Sequence, residues 1–438
     1  MKMLLRYGTF LVLMIVISLA LVKCKQSGDL KNDLSGDVDK ITKSPTGGPL
    51  SPAMERAYNY WPTKDDRENE FYTNFKYSYI SGIGKDPEVS RRDPSKIIRH
   101  NGKYYVWYTR RKTEQGPAGM DNGTDEIPSV DWDLADIYYA TSEEGFNWTE
   151  QGVAVPRTPK GQYGDRAATT TDILVYKGKY YLFYQTFTGP FSSKTGDHCD
   201  VSMARADSPD GPWTRGTEPI IPLGGEEDWD GGAIHDPYPL VYKDKIWLFY
   251  KGQPSKLAKG ARWLVRAQGV AIADNSEGPY IKPEINPILN SGHETCLFPW
   301  KEGIVAIVSI DGPEKNTVQY AEDGINFRPM AAITVPPIAP GAYVPDAFLD
   351  NGDGKGITWG LSHVNVSPID PTNYRRIVEQ NSFLIRFDCD LHRDFDLPYF
   401  KNPRDQVGRF SEETFFQPKM VLEEHAKKEV LERMKSIN

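Results

Sequence analysis

The chain has 438 residues, a formal net charge of −8 and 39 % hydrophobic residues, so it is long enough for a large buried core. It shows no basic stripe, so we expect no nucleic-acid partner, and a neutral ligand is favoured over a polyanionic one. The cysteines are too far apart for a disulfide framework or a paired metal site; they are Cys24, Cys199, Cys296 and Cys389.

The start of the chain has the pattern of an export signal. Two basic residues precede an apolar run from Phe10 to Val22, which is too short for a comfortable transmembrane helix. Cys24 could carry a lipid, although Lys23 stands where a lipoprotein signal normally has a small residue. We predict a signal peptide over residues 1–24 and an exported protein, periplasmic or associated with the outer membrane, with membrane contact only through such a lipid.

A linker and a helical segment follow the signal. Residues 25–49 are rich in Ser, Gly, Asp and Lys with almost nothing to bury, which predicts a flexible linker. Residues 50–76 begin with Ser51 and Pro52, the pattern of a capped helix with proline in its first turn. This helix has few partners in its own part of the sequence, so we predict that the segment serves dimerisation.

Residues 77–398 repeat one pattern five times. Each repeat has an acid, two apolar strands joined by a tight turn, and a third strand; the acids are Asp93, Asp172, Asp236, Glu294 and Asp346. A recurring unit of short strands is typical of a β-propeller, in which neighbouring blades bury one another's faces. We therefore predict an all-β, five-bladed β-propeller whose inner strands bring these acids to one funnel. Asp172 and Asp346 could instead cap their strands.

The first repeat contains a long insert, from Thr113 to Asp136. Long loops on a rigid scaffold often carry function. Within it Trp132 stands between Asp131 and Asp133, which makes it a candidate platform for a sugar ring. The alternative is that Trp132 pins its own loop.

The chain ends in an extension over residues 399–438. Apolar residues recur at helical spacing from Val421 to Met434, with Glu and Lys between them. This pattern predicts a terminal helix.

The acid of the first repeat is a candidate general base. Hydrolysis of a glycosidic bond needs a base to activate water and an acid to protonate the leaving oxygen. Asp93 follows Arg91 and Arg92, whose positive charges favour an ionised carboxylate. The alternative is a turn cap before Pro94.

The third and fourth repeats supply further candidates. Asp236, beside His235, would orient the sugar or tune a neighbouring pKa, unless it is structural. In the fourth repeat two proton donors compete: Glu294 holds the acid position, and His293 directly precedes it. A histidinium can donate a proton near neutral pH. We expect no required cofactor, and no metal motif is present, although a funnel of carboxylates could hold a hydrated divalent cation.

Taken in order, these motifs resemble glycoside hydrolase family 117, the exo-acting α-1,3-(3,6-anhydro-L-galactosidases) of agar breakdown. The motifs that carry the resemblance are S-x-A-x-x-R at Ser51-Pro-Ala53-Met-Glu-Arg56, RRDPS around Asp93, HDPYP around Asp236 and GHET around His293. The resemblance covers nearly everything after the linker. It implies a five-bladed propeller with inverting chemistry and a homodimer that exchanges the N-terminal helical regions.

The resemblance also implies roles for individual residues. Asp93 would be the base, Asp236 the second aspartate, and His293 the acid with Glu294 beside it. It suggests sugar contacts through Trp132, Thr170, Gln185 and His235, and it implies that Arg56 reaches the partner subunit. In the more distantly similar arabinan and xylan hydrolases three carboxylates act, which would make Glu294 the acid and His293 a support.

The resemblance and the funnel together predict an inverting exo-glycosidase that acts on neoagaro-oligosaccharides. It would release 3,6-anhydro-L-galactose from their non-reducing ends. One alternative is a propeller glycosidase on another α-linked sugar such as L-arabinose. The other is a surface glycan-binding protein without turnover.

Overall fold

The structure is a computed structural model, and the strands and helices described below fall between Lys43 and Asn438. It describes residues 41–44, 46–59, 70–192, 199–256, 258, 267–366, 380–395 and 421–437. The predicted signal peptide, most of the linker and Cys24 lie outside these residues, so export and lipid attachment stay predictions. No helix within the described ranges is long and apolar enough to cross a membrane.

The described strands form five consecutive antiparallel sets. Strand set 1 contains β2 (Val89–Arg92), β3 (Ile98–His100), β4 (Lys103–Lys112), β5 (Asp136–Ser142) and β6 (Thr149–Val155). Strand set 2 contains β7 (Ala167–Tyr176), β8 (Lys179–Phe187), β9 (Cys199–Ala206) and β10 (Thr214–Arg215). Strand set 3 contains β11 (Ala233–Tyr242), β12 (Lys245–Gln253) and β13 (Gln268–Ala273).

The two remaining sets complete the fold. Strand set 4 contains β14 (Cys296–Lys301), β15 (Gly303–Val308), β16 (Thr317–Ala321) and β17 (Arg328–Ala332). Strand set 5 contains β18 (Gly341–Ala342), β19 (Gly354–Val366) and β20 (Asn381–His392), and the early strand β1 (Lys76–Tyr79) pairs with β20. The last set is therefore built from both ends of the sequence.

Hydrophobic cores lie between neighbouring sets and join the last set to the first. One core packs Trp107 of set 1 against Leu182 of set 2, and another packs Phe183 of set 2 against Leu248 of set 3. A further core contains Val106 of set 1 together with Leu361 of set 5. Because each set is covered on both sides, inner strands such as β11 are buried along their whole length. The prediction of an all-β propeller fold is confirmed.

The hydrogen-bonded sheets do not correspond one to one with the five strand sets. Sets 4 and 5 are joined into one eight-stranded sheet by a short pairing of Trp300 with Lys355 and Lys301 with Gly354, so the sheets number four within the described chain. The count of five blades therefore stays a prediction.

Five residues at the starts of the sets share an unusual backbone conformation and line one small central cavity of about 30 Å³. They are Asp93 (φ 50°), Thr170 (φ 37°), Asp236 (φ 50°), Glu294 (φ 52°) and Ala339 (φ 46°). We call them the axial ring. Positive φ is costly for residues other than glycine and persists only where the surroundings enforce it, which often marks a functional site.

Two of the acids predicted to face the funnel do not belong to the axial ring. Thr170, which lies at a register irregularity of β7 between Thr169 and Thr171, takes the place expected for Asp172. The Asp172 carboxylate instead forms a buried ion pair with the Lys96 ammonium. Ala339 takes the place expected for Asp346, whose carboxylate accepts a hydrogen bond from the backbone N–H of Lys355 at 2.7 Å.

The two predicted helices are present. Helix α1 (Pro52–Asn59) begins at Ser51, whose Oγ accepts the backbone N–H of Met54 at 3.3 Å and donates to the carbonyl of Pro287 at 2.8 Å. Helix α2 (Glu424–Ile437) packs on sets 1 and 5. Residues 60–69, which connect α1 to β1, lie outside the described residues, so helix exchange between subunits stays a prediction.

A buried arginine ties set 5 to α2, and its removal should destabilise the protein. Arg386 donates to the Asp388 carboxylate at 2.8 Å and to the sulfur of Met434 at 3.3 Å, and its guanidinium lies 4.0 Å from the Phe146 ring and 4.2 Å from the Trp359 ring. We expect Arg386→Met to lower the free energy of unfolding by about 3–5 kcal/mol, because Asp388 would be left as a buried unpaired charge.

Chemical or thermal unfolding measures this loss. In the double variant Arg386→Met with Asp388→Asn we expect part of the stability to return, because the unpaired charge is gone. A single variant as stable as wild type would contradict the role of this ion pair.

Candidate active site

A cavity of about 200 Å³ opens beside the axial ring. It is lined by Arg92, Asp93, Trp132, Thr170, Gln185, His235, Asp236, Lys251, Gln253, His293 and Glu294. The structure thus brings together every residue predicted for the site except Arg56. The lining also contains Arg92, Lys251 and Gln253, which the sequence analysis did not assign to the site.

The Asp93 carboxylate is buried at the floor of this cavity and held from two sides. Arg92 Nε donates to its two oxygens at 3.1 and 3.0 Å, and the Thr170 hydroxyl donates to Oδ2 at 3.1 Å. A carboxylate that accepts several hydrogen bonds is kept in one orientation. This geometry suits a general base.

Asp236 is held in its ionised form. Its Oδ2 lies 2.5 Å from the ammonium of Lys251, and both side chains are buried. Burial opposes ionisation, but the positive charge of Lys251, with smaller contributions from His293 and His235, outweighs it and lowers the pKa of Asp236 to about 2. Asp236 is therefore a fixed negative charge at neutral pH and not a proton donor.

Glu294 is in the opposite state. Its side chain is 10 % exposed, and burial together with the nearby Asp93 and Asp236 carboxylates raises the pKa of Glu294 well above its usual range. Three adjacent carboxylates cannot all ionise in a poorly solvated site, so one of them retains a proton. Because the pKa of Asp236 is lowered and the pKa of Glu294 is raised, the proton is favoured on Glu294.

His293 lies at the edge of the cavity and is oriented by a residue that the sequence analysis missed. Its Nδ1 lies 3.0 Å from Oδ2 of Asp311, and its Nε2 lies 3.8 Å from Oε1 of Glu294. The Asp311 carboxylate fixes the proton on Nδ1 and leaves Nε2 for the cavity. Asp311 follows β15 in a loop, and no motif marked it in the sequence.

Trp132 lines the cavity, and its loop is firmly anchored, so its role as a sugar platform stays a prediction. The flanking aspartates provide the anchors: Asp131 accepts from Arg111 at 2.9 Å and from Ser382 Oγ at 2.7 Å, and Asp133 accepts from Arg166 Nε at 2.6 Å. The Arg92 guanidinium lies 4.8 Å from the Trp132 ring. The indole is therefore held over the cavity by the carboxylates on either side of it.

The side-chain amide of Gln185 bonds to other residues of the site. Its Oε1 accepts the N–H of Asp236 at 3.1 Å, and its Nε2 lies 3.3 Å from Nδ1 of His235. Thr170 likewise uses its hydroxyl on Asp93. Both residues line the cavity. Their polar atoms bond to Asp236 and Asp93, and their predicted contacts with sugar stay predictions.

Arg56 is not brought to the cavity. It forms an ion pair with Glu314 of the same chain and donates to the carbonyl of Phe327 at 2.9 Å. That Arg56 reaches the partner subunit and contacts sugar there stays a prediction.

A cation would have one candidate position among the described residues. Asp236, His293 and Glu294 each offer a ligand atom, and these atoms lie within 4.8 Å of one another. The Lys251 ammonium already pairs with Asp236 and opposes a divalent cation there. The hydrated cation therefore stays a prediction.

The site as a whole separates its proton-handling groups. Asp93 and Asp236 are acceptors, whereas Glu294 carries a proton and His293 can carry one. A pair of groups with opposite protonation states across one cavity is what acid–base cleavage of a glycosidic bond requires.

Comparison with solved structures finds a close likeness. Zg3597, a family 117 glycoside hydrolase produced by the marine bacterium Zobellia galactanivorans, is 46 % identical with a TM-score of 0.70, over 80 % of this chain and 98 % of that chain. CoXyl43, a GH43 β-xylosidase/α-arabinofuranosidase from a compost microbial metagenome, is 16 % identical (TM-score 0.44; 71 % of this chain and 94 % of that one). An endo-arabinase from Bacteroides thetaiotaomicron is 15 % identical (TM-score 0.40; 70 % and 96 %). No protein-family model and no curated protein matches the chain.

Proposed function

Because the chain belongs to glycoside hydrolase family 117, we propose that it is an inverting exo-glycosidase acting on neoagaro-oligosaccharides. It would release 3,6-anhydro-L-galactose from their non-reducing ends. The observation that carries this proposal is the cavity in which an oriented carboxylate, Asp93, lies with two candidate proton donors, His293 and Glu294. Membership of the family identifies the chain as a glycoside hydrolase, and we propose its substrate and the stereochemistry of its reaction.

Asp93 acts as the general base in this proposal. Its carboxylate removes a proton from water as the water oxygen attacks the anomeric carbon, which forms the new C–O bond on the face opposite the leaving group. Arg92 and Thr170 donate hydrogen bonds that hold the carboxylate in place without occupying all of its acceptor sites. A single displacement of this kind inverts the anomeric configuration.

His293 donates the proton to the leaving oxygen as the glycosidic bond breaks. Its Nε2 is the ring atom available for this step, because Nδ1 is held by Asp311. Glu294, which carries a proton, keeps a third negative charge from accumulating between Asp93 and Asp236. Asp236 supplies a fixed charge that stabilises the positive charge developing on the sugar ring.

The size of the cavity supports an exo mode of action. At about 200 Å³ it is smaller than the roughly 300–1,000 Å³ of pockets for drug-sized ligands, so it suits one sugar unit. Trp132, at its rim, offers a flat aromatic face of the kind on which sugar rings stack. An exo-acting enzyme needs to bind one terminal sugar unit inside the cavity while the rest of the oligosaccharide stays outside.

Incubation with neoagarobiose, agarobiose and an L-arabinoside tests the substrate. We expect release of 3,6-anhydro-L-galactose from neoagarobiose, which has this sugar at its non-reducing end, and no product from agarobiose. NMR of the first product formed should show the inverted anomer. Arabinose release alone would instead support the arabinosidase alternative, and tight binding of neoagarobiose without any cleavage would support the glycan-binding alternative.

A further inference from the structure

Three of the five residues of the axial ring are held by a repeated backbone contact. The N–H of Thr170 donates to Oγ1 of Thr109 at 2.8 Å, and the N–H of Asp236 donates to Oε1 of Gln185 at 3.1 Å. The N–H of Asp93 donates to Nδ1 of His363 at 3.2 Å. In each case a side chain from the preceding strand set accepts the amide of a ring residue, with set 5 preceding set 1.

The three acceptors hold equivalent places in their sets. Thr109 pairs with Arg92, the residue before the ring residue of its own set, and Gln185 pairs with Thr169 in the same way. The N–H of His363 contacts the carbonyl of Ile338, which again precedes the ring residue of that set. The contact is therefore part of the architecture and not an accident of one loop.

From this arrangement we infer that His363 is a positioning residue that holds Asp93 in its productive orientation, an inference that rests on the proposed role of Asp93 as base. The His363 ring is fully buried, and its Nδ1 lies 3.3 Å from Oδ1 of Asp93 as well as accepting the Asp93 N–H. With Nδ1 as an acceptor, the hydrogen bond is to the Asp93 backbone, and it fixes the position from which the adjacent carboxylate extends.

The contact requires a neutral imidazole. Because Nδ1 accepts a hydrogen bond, the ring proton is on Nε2, which has no hydrogen-bond partner among the described residues. Burial and the positive charges of Arg92 and His293 lower the pKa of His363 well below its usual range, against the opposing effect of Asp131. His363 and Asp93 are therefore not an ion pair, despite their short distance.

Loss of this acceptor removes a hydrogen bond that stabilises the positive φ of Asp93. A φ of 50° is unfavourable for aspartate, so the buried N–H would gain by turning toward another acceptor. The carboxylate would then move away from Arg92 and Thr170. A shift of about 1 Å in a reacting group can cost roughly 10²-fold in rate.

Two amide variants of His363 separate positioning from packing. Asparagine places a carbonyl oxygen near the position of Nδ1, whereas glutamine places it near Nε2. We expect His363→Gln to lower kcat about 10²-fold with KM close to wild type, and His363→Asn to restore most of kcat. Equal kcat in wild type and His363→Gln, or an equal loss in both variants, would overturn the inference. If His363→Gln does not fold, His363→Ala takes its place in the comparison.

His392 provides a matched control elsewhere in the fold. It is also a buried histidine whose Nδ1 accepts a backbone N–H, that of Asp394 at 3.1 Å, and it does not line the cavity. We expect His392→Gln to lower the melting temperature without lowering kcat. An equal fall in kcat for His392→Gln and His363→Gln would show a general stability effect and contradict positioning.

A crystal structure of each His363 variant gives a readout that does not depend on the substrate. We expect the Asp93 carboxylate to leave Arg92 in His363→Gln and to stay in place in His363→Asn. If the wild-type protein cleaves none of the glycosides offered, the proposed function fails, whereas the position of Asp93 still decides the inference. An unmoved Asp93 in His363→Gln would overturn it.

Discussion

Asp93→Asn is expected to lower kcat/KM about 10²–10⁴-fold while the affinity for the oligosaccharide stays close to wild type. The amide keeps the size of the carboxylate and can still accept from Arg92 and Thr170, but it cannot take a proton from water. The loss therefore falls on the chemical step. Steady-state kinetics and calorimetric binding to neoagarobiose measure the two effects separately.

Asp346→Asn is the matched control for this variant. It makes the same change in charge and shape in the acid that heads the fifth sequence repeat, and its remaining oxygen can still accept the N–H of Lys355. Since Asp346 lies outside the cavity, we expect its kcat/KM to stay near wild type. Undiminished hydrolysis by Asp93→Asn would show that another group is the base.

His293→Gln is expected to cause a loss of similar size, about 10²–10⁴-fold in kcat/KM, and Glu294→Gln a smaller loss, below about 10²-fold. Glutamine resembles the protonated carboxylic acid that the raised pKa of Glu294 maintains, so the charge balance beside Asp93 and Asp236 survives. Glutamine in place of His293 removes the proton donor itself. The kinetics of both variants against wild type decide between the two residues.

The pH dependence gives an independent measurement of the donor. A general acid works only while protonated, so activity falls as the pH rises through its pKa. We expect this alkaline limb to disappear in His293→Gln and to persist in Glu294→Gln. The reverse pattern would make Glu294 the donor and His293 a support, which the raised pKa of Glu294 would then explain.

Much of the candidate site followed from the sequence because the repeat places one residue at the start of each inner strand. Asp93, Asp236 and Glu294 occupy that position in their repeats, and all three line one cavity. Strands that restart at a common axis must meet there, whatever the length of the loops between them. Trp132 was found for a simpler reason: an aromatic residue between two acids in a long insert is conspicuous.

The prediction from the repeat was wrong for Asp172 and Asp346, where Thr170 and Ala339 take the ring positions. In β7 the ring residue is Thr170, two residues before Asp172, and the Asp172 carboxylate lies in a buried ion pair with Lys96. The choice depends on which residue takes the positive φ. Counting residues between apolar strands cannot reveal that choice, because a bulge leaves the apolar pattern intact.

The sequence by itself determined the propeller fold, because period-two strands with restarting acids allow few other ways to bury their faces, and it determined which residue types the funnel would hold. The tertiary structure alone decided their chemical states. Lys251 keeps Asp236 ionised, and burial together with two carboxylates raises the pKa of Glu294. Asp311 orients His293, and His363 accepts the backbone N–H of Asp93, 270 residues away in the sequence. Protonation and orientation arise from charges and hydrogen bonds between distant strands, and those distances exist only once the strand sets have closed on one another.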